Sequence, residues 1–242
     1  MAENAEEIYR RALEAADAEG RLPMPPVHEW ESFPFEGNLR VRPLLPPLEA
    51  EPPRNGEDSE TCWACTNVES GAIWSDERWP LAPRPERSGF PLVAILSTRE
   101  HVDLGGLSPE LAGELGMLIV RIERAINQLD GIGRVHVCRW GDGSFHFHIW
   151  FMARPARLPQ VRTSLAAIWD DILPPTPEDV WRENSTTVAR ALAERGGTSH
   201  VYYPVARSVF EWLPRGAIAS PAPVRRNRGT WEGILSAASF RT

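Results

Sequence analysis

The sequence predicts an α+β domain, an antiparallel sheet of about five strands with helices on one face, flanked by N- and C-terminal extensions. Three stretches predict it. From Ser144 to Met152 the chain alternates apolar and polar positions with period two, the pattern of a strand with two unlike faces. Gly141-Asp142-Gly143 just before it reads as a tight turn out of a preceding strand over residues 134–140. Ser108-Pro109-Glu110 opens a long amphipathic helix, with Ser as N-cap, Pro at the first helical position and an acid in the first turn.

The 242 residues suffice for one sizeable domain with extensions. A hydrophobic content of 42% with 24% charged residues is that of a soluble globular protein. The net charge of −7 leaves no global basic field, so no nucleic-acid polymer is expected as a partner. Every cationic side chain other than His is Arg, a bias that suggests a GC-rich genome more than a function. No apolar run reaches membrane-span length, and the acidic first residues lack the apolar core of a signal peptide, so no membrane partner is expected. Three Cys, two of them spaced Cys62-x-x-Cys65, argue for a cytoplasmic protein with a metal or redox pair and against a disulfide framework.

In chain order, residues 4–19 predict a short helix with Ile8, Ala12, Leu13 and Ala16 as its stripe and Gly20 as its stop. The Pro-rich stretch from Leu22 to Pro53 reads as an extended arm laid over the domain, because it carries Trp30, Phe33, Phe35, Leu44 and Leu45. Residues 54–60 form a polar loop, giving a division into 1–57, 58–157 and 158–242. A short strand is expected at 72–75. Residues 79–82 offer at most a scrap of edge strand, since Pro80 cannot donate to a ladder, and the apolar run 91–97 reads as a central strand. The helix from Ser108 runs to about Leu129, burying Leu111, Leu115, Leu118, Ile119, Ile122 and Ile126. Two further helices are expected at 161–172 and 178–195, then a strand at 200–204 and a basic Arg225-Arg-Asn-Arg228 in the tail.

On the alternating strand, Phe145, Phe147, Ile149 and Phe151 take the core face, and Ser144, His146, His148, Trp150 and Met152 the other. A His pair on one face is most plainly a hydrogen-bonded, half-buried pair. It is also placed to share a metal, or for one ring to orient the other. A two-residue turn at Asp142-Gly143 pairs Arg139 opposite His146 and Val137 opposite His148, setting a guanidinium on the imidazole face where it could hold an anion such as phosphate. The alternative for Arg139 is an edge side chain paired with Asp142 or solvated. The two thiols of Cys62 and Cys65 suit a tetrahedral structural Zn²⁺ if two more ligands are found, for which His101 and His146 are candidates. A redox pair would want a βαβ context that is absent, and two buried unlinked Cys are the bland alternative.

Taken in order, Cys62-Trp-Ala-Cys65, an apolar strand, Arg99-Glu-His101-Val-Asp-Leu, the Ser-Pro-Glu helix, a strand, a Gly-rich turn and His146-Phe-His-Ile-Trp150 with Arg154 beyond resemble the HIT (histidine triad) superfamily. The zinc-containing branches, galactose-1-phosphate uridylyltransferase among them, look most similar. The resemblance covers about residues 58–155. It implies that His148 is a nucleophile attacking the α-phosphorus of a nucleotide ester to give a nucleotidyl-histidine, released by water or a phosphate acceptor. It implies a zinc set of Cys62, Cys65, His101 and His146. It also implies a phosphate side built around Gly141 in the turn, with Arg139, Gly143 and Ser144, and a nucleotide or nucleotide-ester partner. Relatives are commonly homodimers, which the Trp-rich strands permit here. Trp150 departs from the pattern: it stands where the third His of the triad would be, and its indole can donate a hydrogen bond but cannot shuttle protons. Arg139 stands about where HIT hydrolases carry Asn, and Gly143 where they carry Ser or Thr.

Three functions compete. One is a HIT-like nucleotidyl hydrolase or transferase working through His148. Another is a HIT-like fold that binds a nucleotide or partner without catalysis, which Trp150 and the long extensions favour. A third is a cupin-like metalloenzyme using His146 and His148 as open-site ligands, which leaves Cys62 and Cys65 unexplained.

Overall fold

The computed structural model of the protein describes residues 3–67 and 69–200. They fall into two compact units divided between Pro52 and Pro53.

In the first unit, helix α1 (Ala5–Glu14) starts at a reciprocal cap: the Asn4 side chain accepts the Glu7 N–H, and the Glu7 carboxylate accepts the Asn4 N–H, both at 2.9 Å. It ends earlier than its sequence predicts because the Asp17 carboxylate accepts the N–H groups of Glu19 and Arg21 and folds the chain into a turn. The expected stripe is not buried, Ile8 and Leu13 being 45% and 46% exposed. The Pro-rich stretch holds one 3₁₀ turn, Pro26–Glu29, and an edge-to-face contact of Phe33 with Phe35.

The second unit is built on β1 (Trp74–Ser75), β2 (Pro80–Pro83), β3 (Val93–Ser97), β4 (Ile132–Cys138), β5 (His148–Pro155) and β6 (Thr198–Ser199). They form one sheet in the order β4-β5-β3-β2-β1-β6, every neighbour antiparallel. The α+β class and antiparallel sheet are as the sequence predicts. The helices are α2 (Trp63–Asn67), α3 (Pro109–Ile126), α4 (Ala166–Ile172) and α5 (Glu178–Ala193). Among the described residues no helix is long and apolar enough to cross a membrane.

Strand β2 is more than the expected scrap of edge. It lies inside the sheet between β3 and β1, and Pro80 is tolerated as its first residue. Thr198–Ser199 forms the far edge; the expected strand at 200–204 lies, beyond His200, outside the described residues, as does the basic 225–228. Helix α4 begins at Ala166 rather than 161, because Thr163 takes a φ of 63° that no helix accommodates.

Helix α3 starts as predicted, with the Ser108 hydroxyl accepting the Leu111 N–H, and it buries Leu111, Leu115, Leu118, Ile122 and Ile126. These side chains, with Trp181, Val188 and Leu192 of α5, cover the sheet face made by Leu81, Ala94, Leu96, Phe151 and Ala153. On the opposite face Val93, Trp150 and Met152 pack with Ala166 and Trp169 of α4 in a smaller cluster. Period-two alternation therefore holds within β5: Ile149, Phe151 and Ala153 turn to the main core, and Trp150 and Met152 away from it. Phe147 belongs to the main core, 1% exposed and edge-on to Trp79 at 5.9 Å. Phe147→Ala is expected to cost about 3–5 kcal/mol, read as a lower urea midpoint at unchanged slope.

The register of β4 against β5 differs from the sequence expectation. Val137 pairs with Phe151 instead of His148, and Cys138 with Trp150. The connection over residues 139–147 is thus an open loop, too long for a two-residue turn. Arg139 lies beyond the end of β4 and does not pair with His146.

Candidate active site and metal centre

Three segments distant in sequence bring four metal-type donors together. Cys62 stands just ahead of α2 and Cys65 lies within it. His101 follows β3, and His146 stands just ahead of β5. Their donor atoms all lie within 4.8 Å of one another. The Nδ1 of His101 is 3.2 Å from the Cys65 sulfur, and the Nδ1 of His146 is 3.5 Å from both sulfurs. Thiolate and imidazole ligands on a Zn²⁺-sized ion would be separated by roughly 3.6 Å, so the spacing fits a tetrahedron. Both rings turn Nε2 outward onto a backbone carbonyl, His146 to Thr98 at 2.8 Å and His101 to Glu57 at 3.4 Å. Donation from Nε2–H leaves the Nδ1 lone pair facing the cluster, the outer-shell arrangement of ligating histidines. Burial and the Cys62 thiol push the Cys65 thiol up to about 11, so a bound cation is what would hold the Cys65 sulfur as a thiolate at neutral pH.

The polar loop that sequence reading made a boundary closes this site. Gly56 has a φ of +70°, and a Cβ there would stand 3.1 Å from the Cys62 backbone. Asn55 binds the chain ahead of β5: its N–H reaches the Gly143 carbonyl, and its carbonyl accepts the Phe145 N–H. Ser144 pairs with Asn55 in an isolated parallel bridge. The Phe147 N–H goes to Val102. Loops, not a sheet neighbour, thus hold residues 144–147, which is why the strand starts at His148 and not at Ser144. Phe145, expected in the core, instead stacks on His101 at 5.1 Å with the Arg54 guanidinium 5.0 Å from its ring centre.

His148 is buried, 5% exposed, and its Nδ1–H donates to the His146 carbonyl at 3.0 Å. This fixes the ring orientation and leaves the lone pair on Nε2. Among the described residues the donor cluster contains His146 and not His148, against the cupin-like reading. Burial, reinforced by the Arg139 charge, holds the His148 imidazole below the ordinary 6.5. Below pH 6.5 the unfolded chain would take up a proton that the buried ring resists, so this residue costs stability as pH falls from 6.5 toward its lowered value. An NMR titration should place the His148 midpoint below 6.5, and Arg139→Gln should move it upward by removing a repelling cation.

Arg139, out of register, nevertheless reaches the site through Asp103. One Asp103 oxygen pairs with Arg139, and the other accepts from Arg54 Nη1 at 2.7 Å. Arg54 Nη1 also donates to the Gly141 carbonyl at 3.1 Å, and a Cβ on Gly141 would lie 2.7 Å from Arg139 Nη1. Trp150 sits between His148, at 6.4 Å, and Trp140, at 5.9 Å, edge-to-face with both. Arg54, Asn55, Thr98, Asp103 and Phe145 are therefore site neighbours that sequence reasoning did not assign. Asp103 stands two residues from His101, but nothing local marks Arg54, 49 positions away, as its partner.

Fold and site together define the class: an antiparallel α+β domain bearing a two-Cys, two-His donor cluster beside a buried neutral imidazole. No protein-family model matches the chain, and no curated protein is similar to it. Solved structures are. A zinc-bound histidine triad family protein from Mycobacterium smegmatis is 21% identical over 57% of this chain and 97% of its own, at a TM-score of 0.42. A histidine triad protein from Bradyrhizobium japonicum is 16% identical over 52% of this chain and 95% of its own, also at 0.42. A uridylyltransferase mutant is 17% identical over 55% of this chain at 0.38, the match spanning 48% of that protein.

Proposed function

We propose that this chain is a HIT-like nucleotidyl hydrolase or nucleotidyltransferase in which His148 Nε2 attacks the α-phosphorus of a nucleotide ester. The observation that carries the proposal is the bond His148 Nδ1–H donates to the backbone carbonyl of His146, the residue whose own ring faces the donor cluster. It pre-orients a neutral imidazole and stabilises the positive charge the ring acquires on attack. As the Nε2–P bond forms, the P–O bond to the leaving group breaks and its electron pair departs with that oxygen. Water or an acceptor phosphate then forms the new P–O bond, and the P–N electrons return to the ring. Zn²⁺ held by Cys62, Cys65, His101 and His146 would supply cross-linking charge with no open position. Arg139, Gly141, Gly143 and Ser144 would line the phosphate side.

The position of Trp150 beside His148 supports a second reading, a nucleotide- or partner-binding domain without turnover, since an indole moves no proton. Intact-protein mass after incubation with phosphoramidates, dinucleoside polyphosphates, nucleotide sugars and acyl adenylates decides between the two. A nucleotidyl adduct or released nucleotide is expected. Tight binding with neither, across that panel, would overturn catalysis and leave the binding domain.

A further inference from the structure

We propose that Arg54 and Arg139, bridged by Asp103, form a two-guanidinium seat that restricts the His148 site to phosphoanhydrides, nucleotides whose leaving group is itself a phosphate. The inference rests on the His148 reading and adds the leaving-group class to it.

Asp103 spans the two guanidiniums, one on each oxygen, and the three side chains are only 23–25% exposed. The other carboxylate near Arg54 is Glu57, at 3.7 Å and 48% exposed, where solvent screens it. In the shielded part of the site, therefore, one carboxylate faces two cations. Arg139 Nε is moreover buried with no hydrogen-bond partner among the described residues, a donor left over in an otherwise paired network. Arg54 meets the Gly141 carbonyl and the Phe145 ring, three residues ahead of His148, so the surplus charge lies on the loop that leads into the imidazole. Arg54 is fixed by the Gly141 carbonyl and by its place against Phe145, which makes the seat a preformed one.

Leaving-group chemistry gives the surplus its meaning. When Nε2 bonds to the α-phosphorus, the electron pair of the breaking P–O or P–N bond goes to the leaving atom. An amine or alkoxide would need a proton at that moment, and Trp150 has none to shuttle. A phosphate leaves as an anion and needs positive charge instead, which two forked guanidiniums provide. The indole at position 150 and the arginine pair are thus two halves of one specificity.

The test uses the full chain and matched substrates sharing an α-phosphate: nucleoside diphosphate sugars against nucleoside 5′-phosphoramidates, each with four bases. Wild type is expected to favour the phosphoanhydride by at least about 100-fold in kcat/KM, and Arg54→Gln or Arg139→Gln to reduce that preference by roughly 10-fold or more. Arg54→Lys should recover part of it. Inorganic pyrophosphate binding, measured by calorimetry, should weaken about 10-fold in either Gln variant, a readout independent of turnover. Equal use of both substrates, or a preference unmoved in both Gln variants, would overturn the seat while His148 chemistry stands. Turnover of neither substrate, with no adduct, would overturn the His148 reading and the seat with it.

Discussion

His148→Ala is expected to abolish the nucleotidyl adduct of the proposed mechanism and to lower turnover by about 10⁴-fold or more, the scale on which removing a covalent nucleophile acts. The variant should keep its fold and any metal, because His148 lies outside the four-donor cluster and its Nδ1–H goes to a backbone carbonyl. That separation makes the prediction sharp. Loss of activity with unchanged metal content and urea midpoint assigns the chemistry to the ring, whereas retained turnover would remove His148 from the mechanism. His146→Ala should behave in the opposite way, losing the metal while keeping the backbone carbonyl that accepts the His148 Nδ1–H.

Cys62→Ala is expected to empty the candidate metal centre. Cys62 is 1% exposed, against Gly56 on one side and His146 on the other, and among the described residues the cluster holds only three other donors, Cys65, His101 and His146. Losing a ligand costs more metal affinity than the roughly 10–100-fold lost with an outer-shell partner. Structural zinc sites contribute about 10 kcal/mol or more to folding. Even a third of that corresponds to a fall in Tm of roughly 6–12 °C for a chain of this size. Metal analysis of the purified variant and a thermal melt check both parts, and an unchanged metal stoichiometry would exclude Cys62 as a ligand. Chelation of the wild-type protein should reproduce the shift, and Cys62→Ala should then be insensitive to chelator.

What could be read from the residues in order is whatever a few neighbouring positions decide. The Ser108 cap and the stripe of α3 depend on contacts three and four residues apart, and both stand as expected. The core roles of Phe147, Ile149 and Phe151 follow from alternation alone. The Cys-x-x-Cys pair and the two histidines are residue types with so few metal-free reasons to converge that spacing and order could nominate them.

The rest was settled in three dimensions. A turn of two residues at Asp142-Gly143 is locally sound, yet Val137 meets Phe151 in a register that buries Phe151 in the main core and packs the half-buried Val137 against it, and burial of a whole sheet face outweighs one favourable turn. The same choice frees residues 139–147 from the sheet, lifts Phe145 out of the core onto His101, and lets Arg54 and Asp103 reach Arg139. No local pattern carries that information, since an ion pair closed across 49 residues depends on the path of the chain between them. Sequence order nominates a candidate nucleophile and candidate metal ligands, but the charges gathered beside them exist only once the loops have closed.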